Sequence, residues 1–262
     1  MTTRHTVEMG GQTISWLQSG RGRTLILLHG FPLHAGMWEP LHETTPHGWT
    51  LVTPDLRNFG QSRGTPALSV DDHANDVLAL LRHLGCEDAV IGGLSMGGYV
   101  TLAVHRLAPQ RCRGLILADT RAEPDGEEAR ANRVRLQATA RERGPEAVLQ
   151  AMLPKLIGPA AQAAGAVPEQ LKTMVRVNTA EGVVDGLEAL KTRPDARPGL
   201  AGIACPTLIM VGAEDALTPP SAAESLRDGI AGAQLVVVPD AGHMSNLEQP
   251  VPFALALWSF LR

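Results

Sequence analysis

Cysteine is scarce in this chain, with only Cys86, Cys112 and Cys205 among 262 residues. They are dispersed and odd in number, which argues against a disulfide framework or a metal site and leaves reduced, mostly buried thiols as the expectation. No charge sign dominates: 23 basic against 27 acidic residues give a formal net charge of −4, so nothing electrostatic points to nucleic acid. Long apolar runs are missing too. No segment could span a bilayer, and Met1-Thr2-Thr3-Arg4-His5-Thr6-Val7-Glu8 lacks the continuous apolar core of a secretory signal, so a cytoplasmic protein with no membrane partner is expected. There is no internal repeat or low-complexity tract.

The most informative stretch present is Gly93-Leu94-Ser95-Met96-Gly97. The apolar run Ala89-Val90-Ile91 precedes it, and Gly98-Tyr99-Val100-Thr101-Leu102-Ala103-Val104-His105 follows with helix-compatible character. A serine hydroxyl is a weak nucleophile, so a sharp strand-to-helix turn that exposes it to a base and to backbone donors solves a chemical problem. Small residues flank Ser95 because bulky ones would meet the neighbouring strand and helix. A second apolar run, Thr24-Leu25-Ile26-Leu27-Leu28, ends in His29-Gly30-Phe31-Pro32, where glycine permits a turn and proline stops the strand.

With these two motifs the chain resembles the α/β-hydrolase family. Asp55-Leu56-Arg57-Asn58-Phe59-Gly60-Gln61-Ser62 adds to the resemblance, with Asn58 standing where the family commonly has glycine; asparagine tolerates left-handed backbone, so the turn is expected to survive. The resemblance implies a mostly parallel central sheet flanked by helices, and an oxyanion hole made by the backbone N–H groups of Phe31 and Met96. It also implies an acid and a histidine, in that order, after Ser95. Asp215, leaving the strand-like run Thr207–Val211, is the expected acid; Glu214 beside it and Asp119 after Leu115–Ala118 are the alternatives. His243, on a glycine-bearing loop after Leu235–Val238, is the expected base. His29 is expected to shape the oxyanion loop, Arg57 to tie loops together, and Asp240 to hold the His243 loop by local side-chain hydrogen bonds. The other histidines carry no assigned chemistry.

Periodicity sets the rest. Strands are expected over Thr6–Met9, Thr13–Leu17 and Thr50–Thr53, and a helix capped by Ser69 over residues 70–81 with Val70, Ala74, Val77, Leu78 and Leu81 on its buried stripe. Between Arg121 and Pro198 the strand–helix rhythm gives way to an Ala-, Arg- and Glu-rich helical region, expected to be a cap: a helix over Glu127–Arg143, an apolar one near Ala147–Leu153, then short pieces divided at Pro154, Gly158-Pro159 and Pro168. The expected organisation is a core of residues 1–120 and 199–262 with a helical cap over 121–198.

The chemistry implied is attack of Ser95 on an ester carbonyl, an acyl-enzyme, and its hydrolysis by water that His243 activates. It needs no metal or organic cofactor. Small or medium acyl esters are the leading substrates, with a lactonase like the 3-oxoadipate enol-lactonases or a perhydrolase as alternatives, and a non-catalytic ligand receptor as the reading from another class. Serine at the elbow argues against a haloalkane dehalogenase. Arg121 is expected to anchor the cap to the core, or else to bind a substrate carboxylate. Oligomeric state is not legible.

Overall fold

The computed structural model describes residues 1–262, and its centre is one eight-stranded sheet. The strands are β1 (Thr3–Met9), β2 (Gln12–Gly20), β3 (Gly22–Leu28), β4 (Gly48–Pro54), β5 (Ala89–Leu94), β6 (Cys112–Ala118), β7 (Thr207–Gly212) and β8 (Gln234–Val238), in spatial order β1-β2-β4-β3-β5-β6-β7-β8. β1 and β2 pair antiparallel, as do β2 and β4; every pairing from β4 through β8 is parallel. The helices are α1 (Glu39–Glu43), α2 (Val70–His83), α3 (Met96–Leu107), α4 (Glu127–Arg143), α5 (Pro145–Leu156), α6 (Pro159–Ala164), α7 (Ala166–Val175), α8 (Ala180–Thr192), α9 (Pro220–Gly229), α10 (Ser245–Glu248) and α11 (Pro250–Phe260). No helix is long and apolar enough to cross a membrane.

Parallel strands covered on both faces need apolar residues at every position, and the central strands supply them. Ile26, Leu28, Ile91, Leu115, Leu117 and Ile209 enter the core on one side of the sheet. Their neighbours Leu25, Leu27, Val90, Ile116, Leu208 and Met210 enter the other. Helix α2 begins as its sequence requires: the Ser69 hydroxyl accepts the Asp72 N–H at 3.1 Å while the Asp72 carboxylate accepts the Ser69 N–H at 2.9 Å. All five expected stripe residues of α2 are buried.

Three expectations are corrected. The first strands run longer than their apolar cores, because β1 pairs with β2 along its whole length, from Thr3 with Gln18 to Met9 with Gln12, and β2 continues to Gly20 against β4. Pro154 does not divide the chain: α5 passes through it to Leu156, since a proline so near the end forfeits one hydrogen bond and the Gln162 side chain then donates to the Pro154 and Ile157 carbonyls. Pro168 sits in the first turn of α7, where its missing N–H has no intrahelical acceptor to lose; the division falls at Gly165, whose left-handed φ of 77° ends α6.

Candidate active site

Parallel strands end on the same edge of the sheet, and the loops leaving β3, β5, β6, β7 and β8 there carry Phe31, Ser95, Asp119, Asp215 and His243. Ser95 lies between the last residue of β5 and the first of α3, with φ 55° and ψ −112°, a left-handed conformation that a non-glycine residue adopts only where its surroundings impose it. Its N–H is fixed to the Ala118 carbonyl at 2.9 Å, and its own carbonyl accepts the Thr120 hydroxyl at 2.9 Å. Packing explains the glycines. A Cβ on Gly93 would stand 2.4 Å from the Gly97 carbonyl carbon, one on Gly97 2.2 Å from the Leu28 carbonyl oxygen, and one on Gly98 2.6 Å from the Thr120 side chain.

Ser95 and His243 line one cavity of about 560 Å³, together with Phe31, Tyr99, Arg121 and Thr218. The Phe31 N–H makes no hydrogen bond within the protein, and that of Met96 heads α3, where first-turn amides have no intrahelical acceptor. His29 braces the loop that carries Phe31. Its buried ring places Nδ1 3.0 Å from the Gly30 carbonyl and Nε2 2.9 Å from the Leu56 amide, so the tautomer that satisfies both carries its proton on Nδ1. Burial lowers its pKa to about 4, which keeps the ring neutral in that bridge.

His243 is buried with its Nδ1 2.8 Å from the Asp215 carboxylate. Asp215 is saturated: Oδ1 accepts the N–H groups of Leu217 and Thr218 at 2.8 and 2.9 Å, and Oδ2 also accepts the Thr218 hydroxyl at 2.6 Å. Burial alone would push the carboxyl up; the His243 ring and these donors outweigh it and hold Asp215 below its ordinary value. Asp119 sits elsewhere. Fully buried, it accepts the Gly212 N–H at 2.8 Å and the Ser245 hydroxyl, and makes no bond to His243. Burial, then the Asp215 charge, raise its pKa well above the ordinary carboxylate range. Glu214 makes no hydrogen bond to His243 either, so of the three candidate acids only Asp215 is joined to the imidazole.

Other sequence expectations meet different fates. Arg57 does join loop to helix, through Asp76 on α2 at 2.8 and 2.5 Å. Asn58 takes the left-handed turn at φ 66°. Asp240, however, bends its loop through a positive φ of 52° and has its carbonyl held by the Gln249 side chain, rather than holding the loop with its carboxylate. Arg121, at the head of the segment inserted after β6, donates to the Leu217 carbonyl and so ties the start of that segment to the Asp215 loop.

Two residues that sequence reasoning passed over matter to the geometry. Glu248 accepts the N–H groups of Gly242 and Met244, on either side of His243, at 3.0 and 3.1 Å, and that of Gly158 between α5 and α6 at 2.7 Å. Asn178, buried between α7 and α8, donates to the Pro32 and Leu33 carbonyls and accepts the Gly60 N–H at 2.7 Å. A lone carboxylate five positions after the glycine–histidine pair was the available signal for Glu248; nothing local marks Asn178. A second serine–histidine pair, Ser19 Oγ to His42 Nδ1 at 2.8 Å, lies away from this edge, and its imidazole Nε2 contacts the Thr53 hydroxyl at 2.9 Å rather than a carboxylate. With hydroxyls on both ring nitrogens, that pair has no charged group to stabilise an imidazolium.

Residues 23–250 match the family model for the alpha/beta hydrolase fold, and the chain belongs to that family. Among its relatives, the 3-oxoadipate enol-lactonase 2 of Acinetobacter baylyi is 31% identical over 91% of this chain and 88% of that protein. A thermophilic esterase from Thermogutta terrifontis superposes with a TM-score of 0.94 at 36% identity, covering 99% of this chain and 98% of the other. The enol-lactonase of Burkholderia xenovorans gives a TM-score of 0.90 at 25% identity over 98% and 99%.

Proposed function

We propose that this chain is a serine hydrolase of carboxylic esters, working through an acyl-enzyme with Ser95 as nucleophile, His243 as base and Asp215 as the acid that orients it. The observation that carries the reading is the 2.8 Å contact between the Asp215 carboxylate and His243 Nδ1, on an imidazole that shares a cavity with a serine held in strained elbow backbone. A carboxylate on Nδ1 fixes the proton there, leaves Nε2 free to take the Ser95 proton, and stabilises the imidazolium that results. The oxygen that becomes negative in the tetrahedral intermediate is received by the N–H groups of Phe31 and Met96. His243 then gives its proton to the leaving alcohol and activates a water that returns the acid.

The helices α4–α8, inserted between β6 and β7, form the cap of this reading, covering residues 121–198 over a core of 1–120 and 199–262. They contribute Leu136, Met152 and Leu156 to the cavity wall. Neutral small-molecule esters are the preferred substrates. A lactone bearing a carboxylate is the second reading, favoured by the Arg121 side chain in the cavity wall and by the enol-lactonases among the relatives. A panel of neutral esters and acidic lactones with the parent and Arg121→Gln separates them. Similar factors on both substrates support the ester reading, whereas a selective rise in KM for the acidic lactone moves the assignment to the second.

A further inference from the structure

Beside the nucleophile cavity lies a second hollow of about 320 Å³, a volume within the range of small-ligand pockets. One wall is the flank of α3 beyond the nucleophile, at Leu102 and Ala103; the opposite wall is the chain returning to β7, at Leu200 and Ile203. The two hollows share two wall residues, Tyr99 and Arg121.

These two differ in how firmly they are held. The Arg193 guanidinium stacks 4.3 Å from the centre of the Tyr99 ring, and Arg193 is itself fixed by Asp125 at 2.6 Å and by the Leu190 and Glu123 carbonyls. Arg121 has only its contact with the Leu217 carbonyl, and its Nε is buried without an acceptor. A buried donor left unpaired is an unfavourable state, so of the two shared wall residues Arg121 is the less firmly held.

Length and chemistry then indicate an occupant. Along α3, Tyr99, Ala103 and Arg106 stand about 6, 12 and 16 Å beyond Ser95 at the usual helical rise. An extended aliphatic chain advances about 1.2 Å per bond, so a chain of about ten carbons anchored at Ser95 ends beside Leu102 and Ala103. The surface lining the hollow is mostly apolar, and Arg106 and Asp195 are already paired with Asp71 and Arg197, so an apolar occupant suits it better than a charged one.

We propose that the second hollow is an acyl-tail subsite of the same active site, entered past Arg121, and that the substrates are esters of medium-chain fatty acids. This rests on the reading of Ser95 as nucleophile. The test uses p-nitrophenyl butyrate and decanoate with the parent, Ser95→Ala, and two variants that fill the hollow from opposite walls, Ala103→Phe and Gly202→Phe. A Cβ on Gly202 meets no atom within 4 Å, so that variant keeps the test informative if the packed Ala103 site does not accept a ring. The parent is expected to cleave both esters, and each folded filling variant to lower the decanoate-to-butyrate ratio of kcat/KM by about tenfold or more, mainly through KM. The proposal is overturned if the ratio stays within about twofold in the folded variants, or if the parent cleaves butyrate and leaves decanoate untouched. Retention of ester cleavage in Ser95→Ala strikes the nucleophile assignment instead, so the two failures are distinguishable.

Discussion

The carbonyl of Leu156 accepts the N–H of Met244 at 3.1 Å, so the residue after His243 is bonded directly to the end of α5. Gly158 and Gly242 meet beside that bond with no room for side chains; a Cβ on Gly242 would stand 2.4 Å from the Gly158 nitrogen. With Glu248 taking N–H groups from both segments, the inserted helices and the His243 loop form one backbone-bonded unit. Those helices cannot lift at this edge without shifting the imidazole.

Removing Glu248 should therefore be felt at His243. Glu248→Ala leaves the Gly158 and Gly242 amides without their acceptor, a loss of about 1–3 kcal/mol each where water cannot reach. We expect kcat on a neutral ester to fall by about tenfold or more with a smaller change in KM, and Glu248→Gln, which keeps one acceptor oxygen, to recover part of it. Steady-state kinetics on variants checked by circular dichroism decide this; an unaltered kcat in a folded Glu248→Ala would separate the clamp from catalysis.

The two buried carboxylates should respond oppositely. Asp215→Asn is expected to lower turnover by roughly ten-thousandfold, as loss of the orienting charge does in a serine protease triad, and Asp119→Asn by far less. Stability reports on Asp119. Because folding raises its pKa, its contribution is complete below the ordinary carboxylate value and is lost as pH rises through the raised one. An asparagine keeps the contacts to Gly212 and Ser245 and cannot ionise, so the melting temperature of Asp119→Asn relative to the parent should climb as pH increases. A constant difference between pH 5 and 9 would show that folding does not raise the Asp119 pKa.

Buried neutral imidazoles set the acid limit of the fold. Burial lowers His29 and His42 to about 4 and His73 to about 3, and both ring nitrogens of His73 lack a partner. Folded values below the ordinary 6.5 mean that each contributes stability above pH 6.5 and loses it as pH falls toward its folded value. Urea titrations between pH 7.5 and 4.5 should show the unfolding free energy declining, with a slope that approaches about 1.4 kcal/mol per pH unit for each histidine below its unfolded pKa. A flat profile over that interval would contradict the burial of these rings as neutral species.

Legibility in the sequence followed the reach of each constraint. The elbow around Ser95 is local: a strand, a turn and a helix in succession, with glycines whose spacing reflects the backbone of Leu28 and the Thr120 side chain. Helix α2 was readable for the same reason, because its cap and its stripe lie within fourteen residues. The choice between Asp119 and Asp215 was harder, since both leave the ends of adjacent strands, β6 and β7, and only packing decides which carboxylate faces the imidazole. Asn178 reaches Gly60 across 118 positions and Glu248 reaches Gly158 across 90, so neither contact leaves a periodic or short-range trace.

The most direct measurement is covalent. A fluorophosphonate should react with the native protein, and peptide mapping should place the phosphonyl group on Ser95, with labelling abolished in Ser95→Ala and strongly slowed in His243→Ala. Phosphonylation confined to another serine, Ser19 of the second serine–histidine pair included, or no labelling of a folded and ester-cleaving protein, would contradict the assignment of Ser95 as the nucleophile.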